Sequence, residues 1–345
     1  MGQQAVKFAV IGLGRGRGHC KAVQATAGAE LVAVADLSEE RGKAASQEYG
    51  VPWYRDYKEM LRRDDLDVAV VCVPSGLHGE VGIECARAGK HVLCEKPLEI
   101  TVEKCRAIVD ACRGAGVRLG VGFQNRFNPA VRRVKKVIDE GRLGRLLIGE
   151  ARLKWYRTQE YYDQGGWRGT WRLDGGGALM NQAVHSIDLL QWFAGRVRTV
   201  LGHWATLNHR IETEDTGMGI LRFENGAVGT IFATTCSNPN LGTEIALHGT
   251  DGTIILRDGK VATAALKGVE DAAAYIESIP LSGPNDLIQD MVEAVRTGRD
   301  PWITGEDASH SVEIVTGIYE SANAGRPFDL RTRRPVETMA ERRTG

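Results

Sequence analysis

The sequence predicts two domains: an α/β domain built on a doubly wound parallel sheet, then an α+β domain built on a mainly antiparallel sheet. Three observations carry this. Five short apolar runs between residues 6 and 123 alternate with helix-length stretches. Asn-Gly and Asp-Gly dipeptides cluster after residue 217. A chain of 345 residues suits about two domains.

The five runs are residues 6–11 (VKFAVI), 30–35 (ELVAVA), 67–73 (DVAVVCV), 91–94 (HVLC) and 118–123 (RLGVGF). Each is apolar on both faces, as a buried parallel strand requires. Helix-like segments such as 38–48 and 101–113 lie between them, and this alternation implies right-handed crossovers. From residue 129 the pattern changes. Residues 129–141 place Val131, Val134, Val137 and Ile138 at helical spacing, with Gly141 to stop the helix. The basic run of Arg132, Arg133, Lys135 and Lys136 reads as the solvated face of that helix. Residues 180–194 read as an amphipathic helix. Asn225-Gly226 joins the strand-like runs 217–223 and 227–234, Asp251-Gly252 joins 244–248 and 253–256, and Asp258-Gly259 marks a further turn. Two more helices are expected near 285–296 and 306–324, before a charged tail without apolar periodicity. The expected domains are residues 1–124 and 125–330, with the tail at 331–345.

Composition narrows the function. The chain has 44 basic and 44 acidic side chains, so it has no net field to draw it to nucleic acid or an anionic membrane. No apolar run is long enough to span a bilayer. Met1 leads into the first strand without a signal-peptide pattern, and Val6 stands where a myristoylation motif beginning at Gly2 needs Ser or Thr. The seven cysteines form no CxxC pair and no zinc-type cluster with histidine, so no metal is expected. Scattered through apolar runs, they read as reduced core thiols of a cytoplasmic protein.

Ligands of a doubly wound sheet bind at the carboxyl ends of its strands. After the first run comes Gly12-Leu13-Gly14-Arg15-Gly16-Arg17-Gly18-His19. Glycines there let the backbone approach a pyrophosphate, and the helix that follows attracts its charge. Asp36 ends the second run, placed to accept both hydroxyls of an adenosine ribose and to repel a 2′-phosphate. That favours NAD over NADP. The loop departs from a regular GxGxxG, because Arg17 holds the sixth position. Gly16 or Gly18 must then supply the close helix–strand contact.

These features, with Pro74-Ser75-Gly76-Leu77-His78, the run from Ala88 to Leu98 (AGKHVLCEKPL), the run from Gly122 to Pro129 (GFQNRFNP) and the run from Gly175 to Leu189 (GGGALMNQAVHSIDL), resemble the Gfo/Idh/MocA oxidoreductases, which include glucose–fructose oxidoreductase and inositol dehydrogenases. The resemblance covers nearly the whole chain. It implies a Rossmann domain for the nicotinamide cofactor and a second domain whose large open sheet supplies substrate contacts and an oligomer interface, as homodimer or homotetramer. It also implies hydride transfer at a secondary carbon of a sugar, cyclitol or related compound.

Hydride transfer needs a base for the hydroxyl proton, a group at the charged oxygen, and alignment with the nicotinamide. His185 is the expected general acid/base, since imidazole exchanges a proton near neutral pH. Asn181 and Asp188, four residues before and three after, are expected on its helix face. The family commonly has an aspartate where this chain has Asn181, which points to a subgroup with its own substrate. Lys96 is expected to hydrogen-bond the reacting oxygen, while Glu95 positions it or contacts the nicotinamide ribose. Gly12, Gly14, Arg15, Gly16, Arg17, Asp36, Pro74, His78, Glu95, Lys96 and Gln124 are expected to bind cofactor. Arg126 is read as a substrate contact or a brace at the domain junction. Residues 155–172 concentrate aromatics and arginines, from which Arg157 and Trp167 are taken as substrate contacts. Two other readings are an NAD-dependent glycosidase using transient oxidation and a dinucleotide-sensing regulator without turnover. A pure sensor has no physical need of both Lys96 and His185.

Overall fold

The computed structural model describes residues 4–336. Gly2 and residues 337–345 of the tail lie outside the described residues. Two compact units form. One comprises residues up to Phe127 together with 282–309, the other 128–281 together with the chain from His310 on. The first boundary thus falls near the expected one, but a later segment rejoins the first unit.

The first unit holds a six-stranded parallel sheet in the order β3-β2-β1-β4-β5-β6. Its strands are β1 (Val6–Ile11), β2 (Ala29–Ala35), β3 (Trp53–Tyr54), β4 (Val68–Val71), β5 (His91–Cys94) and β6 (Leu119–Val121). The five apolar runs are all strands of this sheet, and only the two-residue β3 was not read from the sequence. Helices α1 (Gly16–Ala25), α2 (Glu39–Tyr49), α3 (Tyr57–Leu61), α4 (His78–Arg87) and α5 (Val102–Gly114) connect the strands. Register decides where the site falls. Ile11 pairs with Ala35 and Val71, Val71 with Cys94, and Cys94 with Val121. The strands therefore stop level, and Gly12, Asp36 and Glu95 each leave one edge as the next residue. The order reverses between β1 and β4, the switch point at which such sheets take ligands.

In the second unit, α6 (Pro129–Asp139) starts behind the Asn128 cap, whose side chain accepts from the Ala130 N–H. A short α7 (Gln159–Asp163) follows, then a π-helical stretch (Ala178–Ala183) that runs into α8 (Val184–Ala194). The expected helix at 180–194 is thus two elements. The later helices are α9 (Ala272–Ser278), α10 (Leu287–Thr297), which belongs to the first unit, and α11 (Gly305–Ala324). Met291 of α10 packs so closely on β6 that a Cβ on Gly120 would lie 2.9 Å from its sulfur. That packing is why the segment returns to the first unit.

The second sheet has nine strands: β7 (Leu146–Lys154), β8 (Val197–Ala205), β9 (Thr216–Phe223), β10 (Val228–Thr234), β11 (Gly242–Gly249), β12 (Gly252–Arg257), β13 (Lys260–Leu266), β14 (Phe328–Asp329) and β15 (Arg334–Pro335). Their order is β13-β12-β11-β7-β10-β9-β8-β14-β15, and only the β7–β10 pair is parallel. All three Gly-containing dipeptides fall at hairpin turns, with Asp258 and Gly259 both at positive φ. The charged tail begins with β15, which pairs with β14. Leu190 of α8 lies against Gly149, and Ile318 of α11 against Gly202 and Gly219. The opposite face leaves Ile148, Leu201, Met218, Ile220 and Val228 exposed. No helix among the described residues is long and apolar enough to cross a membrane.

Candidate active site

The first unit supplies a dinucleotide cradle. Gly12 sits at φ +92°, and a Cβ there would lie 2.6 Å from the Cys72 carbonyl oxygen. Gly14 faces open space. Gly16 makes the close helix–strand contact, because its Cβ would fall 2.7 Å from Val10 Cγ1, whereas Gly18 meets nothing within 4 Å. Helix α1 starts with no side-chain cap and no acid in its first turn. Its end thus keeps the N–H donors and positive dipole end that suit a phosphate. The glycine loop fits a pyrophosphate on these grounds. Arg15 remains largely exposed, with Nε 3.6 Å from Glu95. Arg17 turns away instead to pair with Glu48 on α2, so it braces α1 against α2.

Asp36 is buried, and its carboxylate accepts from the backbone N–H groups of Leu13 and Ser38 and from the Arg41 guanidinium. Burial pushes its carboxyl up, but these donors outweigh that and hold it below the usual range. Glu95 is buried too. His19 Nε2 lies 2.7 Å from Glu95 Oε1, and the Lys96 N–H donates to Oε2 at 3.1 Å. Burial again pushes up, yet the His19 hydrogen bond and the charges of His19, Arg15 and Lys96 hold Glu95 down at about 2. Glu95 is therefore a fixed anion that orders His19 and the Lys96 backbone. The Lys96 side chain begins there, half-buried at the strand edge.

Two expected contacts do other work. His78 is 1% exposed, and its ring nitrogens lie 2.7 Å from the Pro97 carbonyl and 2.9 Å from the Val73 carbonyl. It ties the Glu-Lys-Pro turn to the β4 loop, and burial lowers its pKa. A neutral imidazole has one N–H, so the ring donates to only one of these carbonyls at a time. Arg126 is 4% exposed and ion-paired to Asp307 within the first unit, so it serves as a brace there. Pro74 lies half-buried at the carboxyl end of β4, and Gln124 is exposed after β6.

The second unit supplies a histidine-bearing turn. Among residues 178–191, only Asn181 and His185 are partly exposed, and every other residue is buried. Asp188, expected beside them, is 1% exposed. Asp188 lies three residues beyond His185 within the regular turns of α8, whereas Asn181 lies in the π stretch. Asn181 does not hang free. Its amide N–H donates to Asp174, and its oxygen accepts from Gln182 Nε2 at 3.0 Å. Gln182 in turn donates to the Tyr161 hydroxyl and accepts from Arg157 Nη2. The acid of this group is therefore Asp174, one side chain behind Asn181.

Beneath the turn lies Glu214, fully buried. It accepts from the N–H groups of Gly177 (2.9 Å) and Leu179 (2.8 Å) and from the Tyr319 hydroxyl (2.9 Å). Burial, only partly offset by these donors, pushes its carboxyl up to about 7. The glycine run exists to admit this packing. A Cβ on Gly176 would lie 2.2 Å from the Tyr319 hydroxyl oxygen, and one on Gly177 would lie 2.0 Å from the Glu214 carbonyl oxygen.

The aromatic–arginine segment forms a ladder. The Arg157 guanidinium sits over Trp155 and Tyr161, and that of Arg168 over Tyr161 and Trp167, at 4.8–5.2 Å from the ring centroids. Arg157 and Trp167 thus share one stacked array, joined to Asn181 through Gln182. His209 anchors the Arg157 carbonyl through Nε2 (2.8 Å) and contacts Asp215 through Nδ1 (3.0 Å). Cys236 brings its sulfur beside that pair. Sequence reading missed Arg41, Asp174, Gln182 and Glu214 and gave His19 no role. Arg41, Asp174 and Glu214 lie outside the quoted motif runs, and Gln182 and His19, though inside them, act by supporting Asn181 and Glu95.

Residues 6–123 match the oxidoreductase family with an NAD-binding Rossmann fold, and residues 131–255 match the GFO/IDH/MocA C-terminal domain. The chain is similar to the WlbA dehydrogenase of Bordetella pertussis, solved in complex with NADH and UDP-GlcNAcA. The two share 34% identity at a TM-score of 0.89, over 98% of this chain and 99% of that one. It is 28% identical to the scyllo-inositol 2-dehydrogenase (NAD(+)) of Bacillus subtilis, over 98% of this chain and 100% of that protein. It is 31% identical to the 1,5-anhydro-D-fructose reductase of Ensifer adhaerens, over 90% and 94%.

Proposed function

The chain belongs to the GFO/IDH/MocA oxidoreductase family, and on that footing we propose that it is an NAD-dependent dehydrogenase of a secondary hydroxyl on a sugar, cyclitol or glycoside. The observation that carries this reading is the exposure pattern of residues 178–191, a buried segment that presents only Asn181 and His185. Bound NAD supplies the hydride acceptor. His185 takes the hydroxyl proton as the carbon gives up hydride, and returns it in the reverse direction. The Lys96 ammonium hydrogen-bonds the reacting oxygen and stabilises its negative charge. Asn181, oriented by Asp174 and Gln182, aligns a neighbouring hydroxyl. Pro74 and Gln124, at the carboxyl ends of their strands, face the nicotinamide half.

The stacked arginines favour a substrate carrying an acid group, because a guanidinium on an aromatic face still offers in-plane donors. A UDP-linked uronic acid, as held by the WlbA dehydrogenase, is one such substrate. We place the reaction in the cytoplasm, consistent with the absence of disulfides among the described residues. A second copy of the chain fits the open sheet face, whose exposed apolar side chains (Ile148, Leu201, Met218, Ile220 and Val228) form a patch of the kind that marks interfaces.

The test is NADH formation with NAD and a panel of inositols, hexoses, uronic acids, aryl glucosides and UDP-GlcNAcA, with products followed by mass spectrometry. NADH produced in step with a ketone product is the expected result. Glycoside cleavage without NADH points to transient oxidation, and bound NAD without any turnover to a sensor. Either outcome overturns the dehydrogenase reading. In the active case, Lys96→Met lowers kcat by roughly 10²-fold or more while NAD still binds. Retained turnover removes Lys96 from the chemistry.

A further inference from the structure

In the second unit, three side chains of metal-ligating type meet where the chain joining β8 to β9 passes the end of β10. His209 and Asp215 lie on that connection, and Cys236 lies just past β10. The side chains of His209 and Asp215 are 2% and 0% exposed. His209 Nε2 lies 2.8 Å from the Arg157 carbonyl oxygen, and Nδ1 lies 3.0 Å from Asp215 Oδ2. The N–H groups of Leu207, Asn208 and His209 donate to the same carboxylate, which suits its ionised form. A carbonyl and a carboxylate only accept, whereas a neutral imidazole carries one N–H. Whichever ring nitrogen holds that proton, the lone pair of the other faces an acceptor inside the protein. Such an edge needs a positive charge, either a second ring proton or a cation. Cys236 Sγ lies 3.9 Å from His209 Nδ1, and the three ligand atoms all fall within 4.8 Å of one another.

We propose that His209 Nδ1, the Asp215 carboxylate and Cys236 Sγ form a zinc site. Bonds of about 2.0–2.3 Å to a tetrahedral ion set the ligand atoms roughly 3–4 Å apart, so shifts of about 1 Å bring the three into place. The Arg157 carbonyl then keeps the Nε2 proton, the outer hydrogen bond that fixes the tautomer of a ligating histidine. The donor set selects the metal: thiolate and imidazole suit zinc, whereas calcium and magnesium take oxygen ligands. Burial pushes the Cys236 thiol up, so the free thiol holds its proton until zinc displaces it to solvent. Cys236 is the one partly exposed ligand, so the ion enters on its side. The ion acts as a clip between the β8–β9 connection and the end of β10. It lies behind Arg157, whose own N–H donates to the Thr235 carbonyl (2.9 Å), and so secures the base of the aromatic–arginine ladder. Sequence spacing hides the set, because 27 residues separate Cys236 from His209.

The experiment is titration of the reduced, chelator-stripped full chain with Zn(II) by calorimetry and with Co(II) by absorption, in wild type and Cys236→Ser. Wild type is expected to take one equivalent of either ion, to show a thiolate-to-cobalt charge-transfer band that zinc abolishes, and to melt at a higher temperature with zinc. Cys236→Ser is expected to lose the band and to bind zinc about tenfold more weakly or worse. The other six cysteines are buried in the first unit, so a band lost in this variant belongs to this site. Thermal melting in chelator confirms that the variant is folded. Zinc binding that does not saturate at one equivalent, or equal zinc affinity in the two proteins, overturns the proposal. A wild type that stays metal-free in zinc while NMR shows two nitrogen-bound protons on the His209 ring puts a proton in the ion's place and overturns it as well.

Discussion

Glu95 and Glu214 are both buried carboxyls, and their partners send them in opposite directions. Glu95 sits among His19, Arg15 and Lys96 and stays ionised. Glu214 has only neutral donors, so burial prevails and it titrates at about 7. The sign follows from linkage. Between its ordinary value near 4.5 and about 7, Glu214 holds a proton in the folded chain that the unfolded chain has lost. Its contribution to stability therefore falls as pH rises through that window, by on the order of 3 kcal/mol for a shift of this size. Urea unfolding of wild type and Glu214→Gln at pH 5 and pH 8 checks it. The wild type should lose stability relative to the variant as pH rises, and a gap between the two that ignores pH contradicts the assignment.

At the scale of elements, the start of α1 shows how a glycine motif divides its labour. Gly16 is squeezed against Val10, whereas Gly18 faces open space in the same helix. Gly16→Ala should therefore destabilise by about 1–3 kcal/mol through overpacking. Gly18→Ala should stabilise by about 0.5–1 kcal/mol, as alanine favours the helix. Thermal melts of the cofactor-free protein distinguish them, and equal shifts would falsify the division. The π turn before α8 is the second such case. Sequence periodicity predicts one regular helix and puts Asp188 beside His185. The wider turn is made possible by Gly176 and Gly177 and held by Glu214, and Asp188 lies in the core.

For the molecule as a whole, the nine-stranded sheet has one face covered by helices within the second unit and one face left open. Leu201 and Ile220 are directly paired across β8 and β9 on the open face. Ile220→Lys puts a charge in that patch without touching the helical side. Light scattering should show the wild type as a dimer or larger assembly and the variant shifted toward the monomer. A wild type that is already monomeric at working concentration removes the interface.

The parallel sheet was legible in the sequence because strands buried on both faces need unbroken apolar stretches, and residues 8–11, 31–35 and 68–73 are such stretches. The hairpins at Asn225-Gly226 and Asp258-Gly259 were legible because positive-φ turns favour Asn-Gly or Asp-Gly, a local requirement. Gly12, Asp36, Lys96 and His185 could be singled out because short motifs bind backbone conformation and side-chain chemistry together. Strand β7 escaped because one face is solvated, so that Glu150, Arg152 and Lys154 interrupt its apolar residues. The partners of Arg17, His78 and Arg126 and the burial of Asp188 were visible only in three dimensions, where Glu48, two backbone carbonyls, Asp307 and the core meet them. Arg41, Asp174 and Glu214 come beside Asp36, Asn181 and the glycine run the same way. A motif records which groups chemistry requires, but whether a polar group is spent on the fold or left for a ligand depends on partners that only packing brings within hydrogen-bonding distance.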